Sequence, residues 1–453
     1  MADHPEGSTT WTQEEERRLV RKLDLRLMPF AMLMFLVAYL DRGNISNART
    51  ANGLGTSGSF EAQLGLTGDD FQFCVSIFFV TYILFEVPSN MVLKYFTPRV
   101  WFTRIMLMWG VISGCQAACQ NKAGIVVCRL LVGLAEAGLL PGLLFWIGFW
   151  YRKYEIATRT ALIHSMLALS SAFAGLIATG IGQMNGTAGL PTWRWIFIIE
   201  AIPSVILAVA TLIWLPDFPH TATKFLTPRE QQIAIARLPP SAPSHLQKHF
   251  DKDALIESFK DPMNLLYPVS MAIGVIPQLA LQYFLPTVLA DMGYTGATSN
   301  LMSAPPNLWG AAFEVVMAYH GDLTQERLFH ILGPASIGLV GYVLLPIAGK
   351  SGWPIGVRYF LTFVANSGIA SAPSWYAWRQ NMVVGATTVA FVMGWTNSVV
   401  NIAGAVSPYL FPTQDRPYYE KGGYIGRNHL LLRRVAPQEG ILRRDRGGGQ
   451  ARA

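Results

Sequence analysis

Charged residues are scarce in this sequence of 453 residues. Asp, Glu, Lys and Arg together make up 14% of the chain, whereas 51% of its residues are hydrophobic. Soluble proteins have about 25% charged residues, so this composition excludes a protein whose whole surface faces water. It also argues against a nucleic-acid-binding protein, despite a formal net charge of +7. Basic membrane proteins are common, because their cytoplasmic loops are rich in Lys and Arg.

Cysteines and the common catalytic motifs are scarce as well. All four cysteines lie in apolar runs, and they predict neither a disulfide framework nor a metal site. The chain contains no Gly-x-Ser-x-Gly elbow and no His-Glu-x-x-His helix, which excludes the hydrolases that depend on them. Lys350 resembles the lysine of a phosphate loop, but Leu344 occupies the place of that loop's first glycine. The sequence therefore predicts a protein that is not an enzyme and has no cofactor.

Long apolar runs make up most of the chain. A helix that crosses a bilayer needs about 20 mostly apolar residues, and we count eleven runs near that length. Six precede a hydrophilic stretch and five follow it. The runs cover residues 27–47, 71–95, 101–119, 124–149, 160–183, 195–215, 264–289, 299–319, 329–349, 355–377 and 386–411. We therefore predict an all-α polytopic membrane protein with eleven spans.

The distribution of basic residues predicts the orientation of these spans. Residues 17–26 hold four arginines and a lysine directly before the first run, which places the N-terminus in the cytoplasm. In the linker, Thr227 and Glu230 predict a capping box that opens a short helix. The predicted organisation is a cytosolic tail (1–26), a six-helix half (27–215), a cytosolic linker (216–263), a five-span half (264–411), and an outer loop with an Arg-rich tail (412–453).

Ionisable residues inside spans are costly, so each is a candidate functional residue. Arg129 and Glu136 are seven residues apart, which returns them to within about 20° on one helix face and about 10.5 Å apart along the axis. Asp41 and Arg42 of the first span are candidates to lie between them. Such a set can hold a substrate anion on arginine while a carboxylate binds and releases a proton. The alternative is a set of buried salt bridges that only sets helix packing.

Four further ionisable residues receive structural interpretations. Glu86, close to Pro88, predicts a kinked and capped helix end, and Glu200 predicts a contact between helices. His164 and Glu314 lie towards the inner ends of their spans, where a long side chain can extend to the membrane surface.

Six strings of residues recur in a known family of membrane proteins. They are YLDRGNISNA (39–48), FEVPSN (85–90), RLLVGLAEAGLLPG (129–142), WRWIFIIE (193–200), LPDFP (215–219) and NIAGAVSPY (401–409). With them the chain resembles the major facilitator superfamily over about residues 17–425, and in particular its anion:cation symporter branch with the fungal allantoate, nicotinate and pantothenate permeases. The resemblance implies two six-helix halves that expose a central site alternately to the two sides of the membrane.

The resemblance also implies a function and a set of site residues. The expected activity is symport of a proton with a small organic anion, a carboxylate or a vitamin-like molecule, by a monomer in the plasma membrane. The expected partners are thus the anion, the proton and the lipid bilayer, without nucleic acid or metal. The matching positions are Asp41 and Glu136 for the proton, and Arg42, Arg129, Tyr39, Tyr82 and Asn397 for the substrate.

The sequence is also compatible with two other functions. The chain is alternatively an exporter of a small metabolite from a biosynthetic gene cluster, or a membrane receptor or scaffold that transports nothing.

Asn185 begins a glycosylation sequon in a predicted outer loop. The loop after the second span lacks the Asp of the superfamily's Gly-x-x-x-Asp-Arg signature. After residue 411 no run can form a twelfth span, and residues 427–453 hold seven arginines; we interpret this tail as the product of an altered reading frame or a truncation.

Overall fold

The computed structural model describes residues 11–52, 56–67, 70–93, 95–239, 252–294 and 297–406. Within these ranges the chain is helical with no strand, which confirms the all-α prediction. Helices form most of the described part of each of the eleven apolar runs. The Arg-rich tail and the question of a twelfth span lie outside the described residues.

The described residues up to Trp214 include nine α-helices, which we call "the first half" below. Two of the predicted spans in this half are each made of two helices, α5 with α6 and α7 with α8. The helices are α1 (Gln13–Ala51), α2 (Phe60–Leu64), α3 (Asp70–Leu93), α4 (Pro98–Cys115), α5 (Lys122–Glu136), α6 (Leu139–Ile147), α7 (Ile156–His164), α8 (Met166–Gly182) and α9 (Thr192–Trp214).

Two short helices, α10 (Pro228–Ala236) and α11 (Lys252–Lys260), follow in the linker, and six more form "the second half". These are α12 (Met263–Asp291), α13 (Ala297–Thr324), α14 (Leu328–Lys350), α15 (Ile355–Asn366), α16 (Ala372–Met382) and α17 (Ala386–Val406). Among the residues that the structure describes, six helical segments are long and apolar enough to cross a membrane by length and composition. They are α1, α3, α5 with α6, α7 with α8, α9 and α14. The count of eleven spans and the domain limits stay predictions.

The fourth predicted span is broken immediately after Glu136. The sequence predicts one helix over 124–149, bent at Pro141, but α5 ends at Glu136 and α6 begins at Leu139. Gly138 between them has φ 91°, which favours glycine. A Cβ atom at this residue would also approach the Ser89 hydroxyl of α3 to 2.5 Å. Interrupted helices are common at transporter binding sites, so this break marks the region around Glu136.

Close packing of α3 against α5 fixes the position of that region. Gly133 lies so near α3 that a Cβ atom there would be 2.3 Å from the carbonyl oxygen of Phe78. The hydroxyl of Thr81 donates a hydrogen bond of 2.8 Å to the Leu130 carbonyl of α5. A glycine and a hydroxyl therefore bring the two helix backbones together, as small residues do in membrane proteins.

The linker and the loop after α3 are tied to the helix ends by ion pairs. The predicted capping box is confirmed, since Thr227 and Glu230 each accept a hydrogen bond from the other's backbone N–H. Lys22 of α1 pairs with Glu230 at 2.7 Å. Arg99, in the loop that lacks the signature Asp, pairs with Asp217 at 2.9 Å. This ion pair joins the first turn of α4 to the segment that follows α9.

Candidate functional site

An ion pair between α1 and the end of α5 forms the centre of the candidate site. Arg42 Nε lies 2.6 Å from Glu136 Oε1, and the two side chains are 14% and 1% exposed. The Arg42 guanidinium also lies over aromatic rings, 4.7 Å from the centre of Tyr39 and 4.5 Å from that of Tyr82. Ring faces attract a cation, so one carboxylate and two tyrosines hold the guanidinium in place.

Arg129 is the second buried cation, two turns before Glu136 on α5. Its Nε donates a hydrogen bond of 3.4 Å to the Cys74 carbonyl of α3. Its Nη1 has no hydrogen-bond partner among the described residues. The ring of Phe78 lies between the two arginines, 5.3 Å from the Arg42 guanidinium carbon and 5.1 Å from that of Arg129. The site thus has two cations close together and one carboxylate that pairs with only one of them.

Asp41 lies on another face of α1 and does not take part in this ion pair. Its carboxylate accepts hydrogen bonds of 2.7 Å from Trp109 Nε1 and from the hydroxyl of Ser204. Consecutive helical residues point about 100° apart, so Asp41 faces α4 and α9 while Arg42 faces α3 and α5. Only Arg42 of the predicted pair reaches the Glu136 carboxylate.

Glu86 extends the site to the second half of the molecule. It is fully buried, and its carboxylate accepts hydrogen bonds from the Asn397 amide of α17 and, at 3.0 Å, from the Ser398 hydroxyl. Glu86 also interacts electrostatically with Arg42 and with Tyr82. The sequence interpretation, a kinked helix end capped by Ser89 and Asn90, did not anticipate this contact, and α3 continues through both residues to Leu93. The missed signal is its spacing: Glu86 lies four residues after Tyr82 and so on the same face of α3.

A second contact between the halves is an acid–base pair. His164 of the first half and Glu314 of α13 lie 2.6 Å apart, and their side chains are 13% and 1% exposed. The prediction that these side chains extend to the membrane surface is wrong. They face each other because α7 and α8 pack against α13.

The hydrogen bonds described between the halves lie from the middle of the helices to their predicted cytoplasmic ends. Near the end of α3, the Asn90 amide donates to the Ala390 carbonyl at 2.6 Å. Near the start of α7, the Thr158 hydroxyl donates to Asp322 at 2.5 Å. The halves are therefore joined on the side that the sequence places in the cytoplasm.

The predicted substrate residues thus lie around Arg42, and of the two predicted proton-coupling residues Glu136 joins them whereas Asp41 does not. Tyr39 and Tyr82 contact Arg42, Arg129 is joined to it through Phe78, and Asn397 reaches it through Glu86. Asn185 is exposed, and its side-chain oxygen accepts a hydrogen bond of 2.8 Å from Asn52. Its glycosylation stays a prediction. In the part of the chain that the structure describes, no group of three or more His, Cys, Asp or Glu side chains could hold a metal ion.

Comparison with known proteins agrees with this architecture. Residues 31–408 match the profile of the Major Facilitator Superfamily. The chain belongs to the major facilitator superfamily. It is similar to the MFS-type transporter cnsO of Penicillium expansum, with 33% identity over 90% of this chain and 79% of that protein. It is also similar to a putative tartrate transporter of Agrobacterium vitis, with 32% identity over 87% of each chain.

Solved structures of the superfamily show the same fold. The proton:xylose symporter XylE bound to 6-bromo-6-deoxy-D-glucose aligns with a TM-score of 0.69 over 91% of this chain and 95% of that one, at 14% identity. The predictions of a major facilitator fold and of a protein that is not an enzyme are thereby confirmed. The protein is a multi-pass membrane transporter for a small solute.

Proposed function

We propose that this transporter carries a small organic anion together with a proton. The observation that carries the proposal is the buried group formed by Arg42, Arg129 and Glu136, in which Glu136 pairs with Arg42 and Arg129 has no ion pair among the described residues. A buried charge without a partner is costly. The second cation therefore favours an anion in the site.

The pairing of Arg42 with Glu136 provides a reason for coupling to protons. While Glu136 is ionised, it occupies the guanidinium that an anionic substrate would use. Protonation of Glu136 removes this competitor and releases Arg42 for a carboxylate, to which the planar guanidinium can donate two parallel hydrogen bonds. Proton and anion thus bind together, because each lowers the cost of binding the other.

We assign the remaining residues by their position around this pair. Tyr39 and Tyr82 hold the Arg42 guanidinium through their rings. Asn397 and Glu86 connect the site to the second half, so that a change at Arg42 can affect the contact between the halves. Two relatives support a carboxylate substrate, since the Agrobacterium vitis proteins are described as putative tartrate transporters.

The direction of transport is a separate question. The same proton-linked binding can drive uptake or export. The relatives include transporters from Penicillium expansum, a Fungal sp. strain and Hormonema carpetanum, and their names state neither direction. We propose uptake across the plasma membrane, with metabolite export as the alternative. We also propose that residues 27–215 and 264–411 form the two moving halves.

Uptake of radiolabelled tartrate, nicotinate and simple monocarboxylates into a permease-deficient yeast tests the proposal. Wild type should take up at least one of these anions faster at acidic than at neutral outside pH. Glu136→Gln should lose this acceleration, and Arg129→Ala should lose uptake. Glu61→Gln provides a matched control, because Glu61 pairs with Arg49 at 2.7 Å outside the site. Equal pH dependence in wild type and Glu136→Gln would refute the coupling assignment, whereas export of a preloaded anion without uptake would favour the alternative.

A further inference from the structure

A second buried polar cluster lies on the face of α1 that points away from Arg42. We call it the Asp41–Glu200 cluster and define it as Asp41, Asn44, Ser113, Gln116 and Glu200. These residues come from α1, α4, the turn after α4, and α9, and none is more than 4% exposed. Ser113 is at the centre, with hydrogen bonds to Asp41 (3.4 Å), Asn44 (3.2 Å) and Gln116 (3.5 Å).

This cluster has more hydrogen-bond acceptors than donors. Both carboxylate oxygens of Glu200, the side-chain oxygen of Asn44 and that of Gln116 have no partner among the described residues. All four atoms are acceptors. Buried polar atoms are normally satisfied, and each exception needs an explanation. A proton on Glu200 is the simplest explanation, because a protonated carboxyl group gains an O–H donor that the ionised group lacks.

The two acids differ in the donors that surround them. The Asp41 carboxylate accepts hydrogen bonds from Trp109, Ser113 and Ser204, which stabilise its ionised form. Glu200 has none from the described residues, although Ser204 lies one turn after it on α9. Two carboxyl groups in such different surroundings take different protonation states.

The charges around Glu200 also favour its protonated form. The ionisable side chain that acts on it is Asp41, a like charge, from α1. From α4, which packs most extensively against α9, Trp109 and Ser113 lie at the cluster and both are uncharged. On α9 itself, the guanidinium of Arg194 donates to the Ala117 carbonyl.

We propose that Glu200 is a proton-binding residue of this transporter, which holds a proton beside the ionised carboxylate of Asp41 at a place separate from the Arg42–Glu136 pair. Glu200 is then a second acid through which protons can reach or leave Asp41. Its role in transport rests on the proposed proton coupling, whereas the protonation itself does not.

Infrared spectroscopy of the purified full-length protein in lipid tests the proposal without a substrate. The C=O stretching band of protonated carboxylic acids is recorded during a pH titration of wild type, Glu200→Gln, Asp41→Asn and the control Glu61→Gln. Wild type and Glu61→Gln should show a band from a buried acid at neutral pH, and Glu200→Gln should lack it. In Asp41→Asn the band should disappear at a lower pH than in wild type, since the neighbouring negative charge that favours the protonated form of Glu200 has been removed.

Two results would overturn the inference. One is the same band in wild type and Glu200→Gln throughout the titration. The other is a band that appears only when sodium is replaced by choline, which would show that a metal cation fills the cluster instead. Glu200→Gln should also melt no earlier than wild type, because the amide has the shape and charge of the protonated acid. A lower melting temperature in this variant, with normal melting of Glu61→Gln, would likewise count against a neutral Glu200.

Discussion

Replacing Glu136 by Gln should tighten the binding of an anionic substrate at neutral pH while abolishing proton-driven uptake. In the structure Glu136 pairs with Arg42 at 2.6 Å, and its side chain is 1% exposed. An anion that binds Arg42 must therefore displace a buried carboxylate before it gains its own hydrogen bonds. The glutamine keeps the shape of the side chain and removes its charge, as protonation does.

The size of the effect follows from the contact that the anion no longer has to break. A hydrogen bond to a charged group contributes about 1.5–3 kcal/mol. This corresponds to about a 10- to 150-fold change in dissociation constant. Because the glutamine oxygen still accepts a weaker hydrogen bond from Arg42, the lower end of that range is expected.

Equilibrium binding of the anion identified by the uptake screen, measured on protein in nanodiscs across a pH series, provides the assay. Wild type should bind more weakly as the pH rises, since Glu136 then ionises and competes. Glu136→Gln should bind with the same affinity at each pH, close to the value of wild type at its acidic limit. Glu61→Gln should follow wild type. Weaker binding by Glu136→Gln at neutral pH would refute the competition argument, because Glu136 would then contribute to the anion site instead of opposing it.

Three further predictions concern the framework around the site. Gly133→Ala should force α5 away from the Phe78 carbonyl and cost about 1–3 kcal/mol of unfolding free energy, seen as a lower melting temperature; unchanged melting would contradict the close packing. Glu314→Gln should break the buried pair with His164 and increase backbone hydrogen exchange at the inner ends of α7 and α13; unchanged exchange would show that the pair does not hold the halves together. Gln380→Ala should remove a 2.9 Å hydrogen bond to a carbonyl of α6 and raise the accessibility of the cytoplasmic side to a thiol reagent; equal labelling would exclude this contact as part of the closure.

The fold could be predicted from the sequence because the bilayer imposes a length on each spanning helix. Runs of apolar residues mark the helices whatever their packing, and the strings around Arg42 and Arg129 resemble the family. The interruption after Glu136 could not be predicted in the same way. Glycines and a proline in this run indicate a bend, but the position of the break depends on the approach of Ser89 from α3, which is a tertiary contact.

The candidate site could be predicted where its members lie on one helix. Arg129 and Glu136 share a face of α5, and this follows from their spacing of seven. The assignment of Asp41 and Arg42 to one group used their adjacency, although adjacent helical residues point in different directions. The contact of Glu86 with Asn397 joins residues 311 positions apart, and no periodicity within one helix predicts it.

These contacts lead us to expect that the residues of the proposed anion site also affect the closure of the molecule. Arg42 pairs with Glu136 in the first half, and it interacts electrostatically with Glu86, which is bonded to Asn397 and Ser398 of the second half. Under the proposed function, an anion on Arg42 replaces one negative charge and screens the attraction to another. A ligand shifts a conformational equilibrium only through such a difference in interaction between the two states. Glu86 is therefore the residue through which substrate binding can change the strength of the contact between α3 and α17.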